Sequence, residues 1–226
     1  MAVIRDDFPH AVDVLDPYWI VLSDGTRIAA TLWRPRNAGL VPVIVEMIPY
    51  RRRDGTVFRD MELQPYLAGF GLAYCRVDLR GAGDSGGLLE DEYLPREQND
   101  AVEIIAHLAA APWCNGNVGM TGISWGGFNS LQVAARRPPA LKAIATLCAS
   151  DDRYADDVHY MGGCLITENE MWSNFMLVKN AMPPDPQIVG ERWRDMWKAR
   201  LESNHSWSER WLQHQRRDEY WKQGSV

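Results

Sequence analysis

The sequence predicts a doubly wound, mostly parallel α/β sheet followed by a helical region, and three observations carry that expectation. Short β-branched runs alternate with segments of helical spacing as far as about Ser150, the signature of βαβ units. One of those runs leads directly into a serine set among glycines. Beyond Ser150 no β-branched run of strand length recurs, and six of the ten tryptophans collect there.

The elements follow in order. Tyr18–Leu22 and Arg27–Trp33 flank Ser23-Asp24-Gly25-Thr26, whose Asp-Gly pair is a tight-turn signal, so an antiparallel hairpin opens the domain. Val41–Ile48 is a near-continuous apolar run, as expected of a strand buried on both faces. Further strands are expected at Leu72–Val77, Val118–Ile123 and Ala143–Leu147. Between them, Phe58–Phe70, Gln98–Ala110 and Phe128–Arg136 have helical spacing, with Val102, Ile105 and Leu108 or Ala109 on one face of the second. In the tail, Trp193 and Trp197, like Trp207 and Trp211, lie four apart and so on one helix face. The division expected is a core over residues 1–149 and a Trp-rich helical region over 150–226. Aromatics at that spacing are read first as packing residues.

Composition narrows the function. The 226 residues are 46% hydrophobic and 24% charged, enough apolar surface for a sizeable core. A net charge of −6 with no run of five like charges argues against nucleic acid or an anionic membrane as partner. No apolar stretch approaches the length of a membrane span, and the charged N-terminus MAVIRDDFPHAVDV does not read as a signal peptide, so a cytoplasmic protein is expected. Cys75, Cys114, Cys148 and Cys164 lie far apart without a CxxC pair; buried, reduced thiols are expected, with no metal site.

The chemistry concentrates in Gly122-Ile123-Ser124-Trp125-Gly126, which matches G-x-S-x-G between a strand pattern and a helix pattern. In that setting the serine sits on a strained turn, and the flanking glycines are needed where strand and helix approach closely. A serine hydroxyl is a weak nucleophile and requires a base and donors for the developing oxyanion. One donor is expected to be the backbone N–H of Trp125. A second is expected from the loop after Val41–Ile48, where Tyr50 presents a phenol hydroxyl before Arg51-Arg52-Arg53-Asp54-Gly55.

A second glycine-rich stretch, Gly81-Ala82-Gly83-Asp84-Ser85-Gly86, satisfies G-x-G-x-x-G. That fingerprint requires a helix opening at its last glycine, whereas Leu88–Pro95 is acidic and ends in proline, so a helix is expected only near Gln98. No cofactor is expected. Asp78 and Arg80 are read as anchors of this loop.

Ile48-Pro49-Tyr50, the Val77–Gly87 stretch and Gly122–Gly127 together resemble the X-Pro dipeptidyl-peptidase, cocaine esterase and α-amino-acid ester hydrolase family, a branch of the α/β-hydrolases. The resemblance covers about Tyr18 to Ala149 and extends loosely into the Trp-rich tail, which is similar to the family's helical cap. It implies an α/β-hydrolase-type sheet, Ser124 as nucleophile, and Tyr50 with the Trp125 amide as oxyanion hole. The implied reaction is acyl transfer to water from an ester, amide or peptide substrate.

The triad acid and histidine follow the serine in α/β-hydrolases. Only 226 − 124 = 102 residues follow Ser124, and they hold one further strand pattern before the tryptophan-rich helices. His159, His205 and His214 lie among those helices and are read as structural or surface residues, as are His10 and His107 before the serine. Asp151, Asp152, Asp156 and Asp157 are the acid candidates. The expectation is a sheet incomplete on its C-terminal side, without its triad acid and histidine. Self-association or a partner chain completing the sheet would follow. The alternative is a catalytically incomplete module that acts by binding.

Overall fold

The computed structural model describes residues 5–226; the first four residues of the charged N-terminus lie outside them. A six-stranded sheet runs in the order β1-β2-β4-β3-β5-β6. Strands β1 (Val12–Val21) and β2 (Arg27–Pro35) form the opening hairpin, and β2 is antiparallel to β4 (Ala73–Asp78). From β4 inward the sheet is parallel, through β3 (Val41–Ile48) and β5 (Cys114–Ile123) to β6 (Leu141–Leu147). Helices α3 (Pro95–Ala109) and α4 (Trp125–Ala135) connect the parallel strands. The mostly parallel, doubly wound α/β architecture is therefore present.

Local chemistry explains the boundaries. At the hairpin turn Gly25 takes φ +82° and the Asp24 carboxylate accepts the Thr26 amide. Strand β1 begins earlier than expected, with a register shift between Leu15 and Tyr18 around Pro17, which has no N–H to give the ladder. The expected helix over Phe58–Phe70 is two short ones, α1 (Val57–Asp60) and α2 (Leu63–Gly69). Pro65 accounts for the break: its ring excludes a continuous helix through the carbonyl of Met61. Helix α3 begins three residues before Gln98, with Pro95 in its first turn. Proline fits there because the first-turn N–H groups have no intrahelical partner.

The core lies between the sheet and its helices. Val43, Val45, Cys75 and Val77 from the central strands meet Ile104, Ile105 and Leu108 of α3. Cys75 and Cys114 are buried, but Cys148 and Cys164 are exposed, contrary to expectation. Cys148 follows the edge strand β6, and Cys164 opens β8 (Cys164–Leu165), which pairs with β7 (Tyr160–Met161) in a small hairpin away from the main sheet.

The rest of the tail is helical: α5 (Glu168–Asn180), α6 (Pro186–Val189), α7 (Trp193–Ser203), α8 (Ser208–Trp211) and α9 (Glu219–Lys222). Trp207, Trp211 and Trp221 are buried in the common core cluster, which agrees with reading the aromatics as packing. Among the described residues no helix is long and apolar enough to cross a membrane.

Candidate active site

Ser124 sits between β5 and α4 with φ +58° and ψ −121°, a conformation that L-residues rarely adopt. The geometry demands glycine at one position above all. A Cβ on Gly122 would lie 2.4 Å from the backbone of Gly126, so strand exit and helix entry touch there. A Cβ on Gly126 itself would meet nothing closer than 3.4 Å, whereas one on Gly127 would lie 2.8 Å from Ala149 Cβ. The tight positions are thus Gly122 and Gly127, and Gly126 matters as the backbone that Gly122 meets.

The turn is held on the β6 side by the Ser124 N–H, which donates to the Leu147 carbonyl at 2.9 Å. Tyr50, at the exit of β3, donates its hydroxyl to Ser124 Oγ at 3.3 Å and accepts the Trp125 N–H at 3.4 Å. The three residues singled out by sequence therefore converge on one point. Burial raises the Tyr50 pKa, so the phenol stays protonated and remains a donor.

Tyr50 is placed by a rigid loop. A Cβ on Gly55 would lie 2.6 Å from the Tyr50 carbonyl oxygen, so the loop folds back closely on it. The three arginines that follow Tyr50 are all engaged. Arg51 pairs with Asp54 at 2.6 Å, and Arg53 with Asp185 at 2.7 Å. Arg52 is buried and bridges Asp16 (2.6 Å), Asp78 (3.1 Å) and Asp84 (2.7 Å). Asp78 also accepts the Arg52 and Asp84 amides, and Gly83 approaches it so closely that a Cβ would overlap its carboxylate. Arg80 holds Asp100 through two nitrogens, at 2.7 and 2.8 Å. Asp78 and Arg80 anchor the glycine-rich loop, as the sequence suggests. No helix opens at Gly86, whose N–H instead donates to the Arg27 carbonyl.

A cleft of about 700 Å³ opens beside Ser124. Phe128, Met161 and Ile166 supply apolar lining, and Asp156, Asp157 and Glu168 supply carboxylates. On another side Tyr50 packs edge-on against Trp172 (6.3 Å) and Phe175 (6.4 Å), which stack on each other at 5.4 Å.

Four of the five histidines are engaged elsewhere. His159 is buried between Trp211 and Trp221 and bonds Glu92 at 2.6 Å and Asn169 at 2.9 Å. His214 pairs with Asp218, His107 with the Tyr18 hydroxyl, and His205 Nδ1 with the Ser203 carbonyl. Among the described residues no histidine is hydrogen-bonded to Ser124. Of the acid candidates, Asp152 accepts the Tyr154 and Ala155 amides and pairs with Arg217, a turn-forming role. Asp156 and Asp157 reach the cleft, and Asp151 lies outside its lining.

Two buried carboxylates escape sequence reasoning. Glu92 accepts from His159, Arg153 (2.7 Å) and Trp172 (2.9 Å). Burial opposes its ionisation, but the His159 and Arg153 charges outweigh burial and hold it well below the ordinary carboxylate range. Asp157, beside it, is pushed up to about 6 by burial and by the Glu92 charge. Glu92, Asp157 and His159 each offer one ligand atom within 4.8 Å of the others. Both Glu92 oxygens are already engaged, Oε1 with Arg153 and His159 and Oε2 with the Trp172 indole, so this set fits an internal ion-pair web better than a metal centre. The second carboxylate is Glu97, which accepts the Trp125 indole N–H at 2.8 Å. No local pattern marks either one, because their partners come from distant segments.

The family model described as X-Pro dipeptidyl-peptidase (S15 family) matches residues 24–226. The chain is 34% identical over 171 residues to the cocaine esterase of Rhodococcus sp. (strain MB1 Bresler), covering 74% of this chain and 28% of that protein. A solved CocE/NonD family hydrolase from Staphylococcus aureus superposes with a TM-score of 0.71 at 21% identity, over 95% of this chain and 38% of the other. An α-amino acid ester hydrolase superposes at 0.68 and 20% identity, over 100% of this chain and 41% of the other. These likenesses establish the α/β-hydrolase-type fold. The chain spans well under half the length of each of these relatives.

Proposed function

Since this chain belongs to the X-Pro dipeptidyl-peptidase (S15) family, we propose that it carries the nucleophile and oxyanion-binding part of a serine hydrolase, which cleaves an ester or amide bond through an acyl-enzyme on Ser124. The observation that supports this most is the convergence of the Tyr50 hydroxyl and the Trp125 amide at a strained Ser124. In this reading β5, the Ser124 turn and α4 form a nucleophile elbow.

Ser124 Oγ attacks the substrate carbonyl carbon and gives its proton to a base. The carbonyl oxygen becomes an oxyanion and accepts from Tyr50 and Trp125, in place of the contact these two make with each other. Collapse expels the alcohol or amine, which takes up a proton. Water then attacks the acyl carbon and releases the acid and free Ser124. The carboxylates of Asp156, Asp157 and Glu168 favour a substrate that bears positive charge. Residues 150–226 serve as a cap over the core of residues 1–149, with α5 placing Trp172 and Phe175 against Tyr50.

The base is the open part of the reading. Among the described residues no histidine bonds Ser124 and β6 is the edge of the sheet, so this reading takes the base from beyond them, for instance from a partner chain or second copy that completes the sheet. The same two facts support a second reading, a catalytically incomplete module that acts by binding.

Incubation with p-nitrophenyl acetate followed by mass spectrometry separates the readings. The first predicts nitrophenolate release and one acetyl group on Ser124, both lost in Ser124→Ala. A folded chain that neither acquires the acetyl group nor releases nitrophenolate favours the binding reading.

A further inference from the structure

Trp125 performs two tasks with two N–H groups. Its backbone N–H points at Tyr50, while its indole, fully buried among Tyr93, Trp172 and Trp207, has one polar atom, and that atom is bonded to Glu97. Asn129, one turn along α4, approaches the same Glu97 oxygen at 3.5 Å and donates to the Met47 carbonyl at 3.0 Å. Met47 lies at the end of β3, just before Tyr50. Glu97 therefore sits where the helix carrying the Trp125 amide meets the strand that leads to Tyr50.

We propose that Glu97 is a positioning residue for the Trp125 amide, acting through the indole and Asn129 to lock the start of α4 against the end of β3. This rests on reading that amide as an oxyanion donor only for its catalytic meaning; the positioning itself stands on the contacts.

The environment makes the lock sensitive to protonation. Glu97 Oε2 and Asn129 Oδ1 are buried without a hydrogen-bond partner among the described residues. The charged groups nearby are committed to one another: Glu92 to Arg153 and His159, Asp91 to Arg210, and Arg80 to Asp100 and Asp24. Tyr93, the neighbouring phenol, is itself driven upward by burial. With no cation bonded to it, Glu97 is pushed up to about 7, chiefly by burial. Below that pH it is a neutral acid whose Oε1 still accepts the indole N–H. Above it, a poorly hydrated charge forms beside the Trp125 indole, the Asn129 amide and the Tyr93 backbone N–H, which favour it, and the contacts of the lock must readjust to the charged form.

Nuclear magnetic resonance of tryptophan nitrogen labels tests this without requiring turnover. Ser–Trp pairs occur only at Ser124–Trp125 and Ser206–Trp207, so an added serine carbonyl label isolates two backbone amides, and Ser206→Ala tells them apart. In the native chain, the Trp125 indole and backbone resonances should shift together with a midpoint of about 7. In Glu97→Gln, which keeps the acceptor and cannot ionise, both should stay near the low-pH position throughout. In Glu97→Leu both should be displaced at every pH. A backbone resonance that stays fixed while the indole titrates overturns the proposal, and so does an unchanged titration in Glu97→Gln. Labelling of Ser124 by a fluorophosphonate distinguishes the two readings. If the resonances behave as expected but the labelling rate is the same in native and Glu97→Leu protein, positioning holds and the oxyanion assignment fails.

Discussion

The two sides of Ser124 are built on opposite plans. Toward β4, the loops from β3 and β4 are cross-linked by charge: Arg52 bridges Asp16, Asp78 and Asp84, and Arg200 donates to the Gly83 and Ser85 carbonyls from the helical tail. Toward β6, the sheet ends in a strand whose residues are largely exposed, and a cleft with carboxylates and an exposed Cys148 lies open. The proposed oxyanion donors, Tyr50 and the Trp125 amide, come from the closed side and from α4, where preorganisation would cost no rearrangement during reaction. The side from which a base would approach is the one left accessible.

The contrast can be broken most strongly on the closed side. Arg52→Leu leaves Asp78 and Asp84 buried without their cation and should cost about 3–5 kcal/mol, measured by urea denaturation. A loss under 1 kcal/mol would mean that this web does not hold the loop. Tyr50→Phe keeps the ring packed against Trp172 and Phe175 but removes the hydroxyl. Fluorophosphonate labelling of Ser124 should slow by roughly 10²- to 10³-fold, with the fold intact by circular dichroism.

Glu97→Gln gives a gain whose size depends on pH. The folded pKa of Glu97 is raised from 4.5 to about 7, so its favourable contribution is present below 4.5, falls away between 4.5 and 7, and is gone above. Relative to the native chain, the amide variant should therefore gain up to about 3 kcal/mol on going from pH 4 to pH 8. A pH-independent difference in thermal stability would refute the buried-acid assignment. Smallest of all, Lys142→Glu on the exposed β6 edge, where the ammonium caps only the Pro139 carbonyl, should alter stability by less than about 0.5 kcal/mol. A large loss there would show that the open edge is more tightly built than its exposure implies.

Legibility in the sequence follows the range of the interactions. The Val41–Ile48 strand coincides with β3 because a buried parallel strand writes its burial as an unbroken apolar run. The placement of Ser124 was legible because a close strand-to-helix approach demands glycine at Gly122. Helix starts were less legible, since Pro65 breaks one helix while Pro95 opens another, and only position within the turn decides which. Glu92 and Glu97 were not legible at all. Glu92 meets Arg153, His159 and Trp172 from across the chain, and Glu97 meets the Trp125 indole from a helix 28 residues earlier, a pairing no local pattern encodes.

The central claim is the proposal that this chain assembles a reactive Ser124 with its oxyanion donors, while among the described residues no histidine is bonded to it. Its most direct test is fluorophosphonate labelling with peptide mapping, comparing the native chain with Ser124→Ala and Tyr50→Phe. The account predicts one phosphonylated residue, Ser124, formed slowly, absent in the first variant and strongly retarded in the second. Labelling of the native chain no greater than that of Ser124→Ala, or modification at another residue, would contradict it.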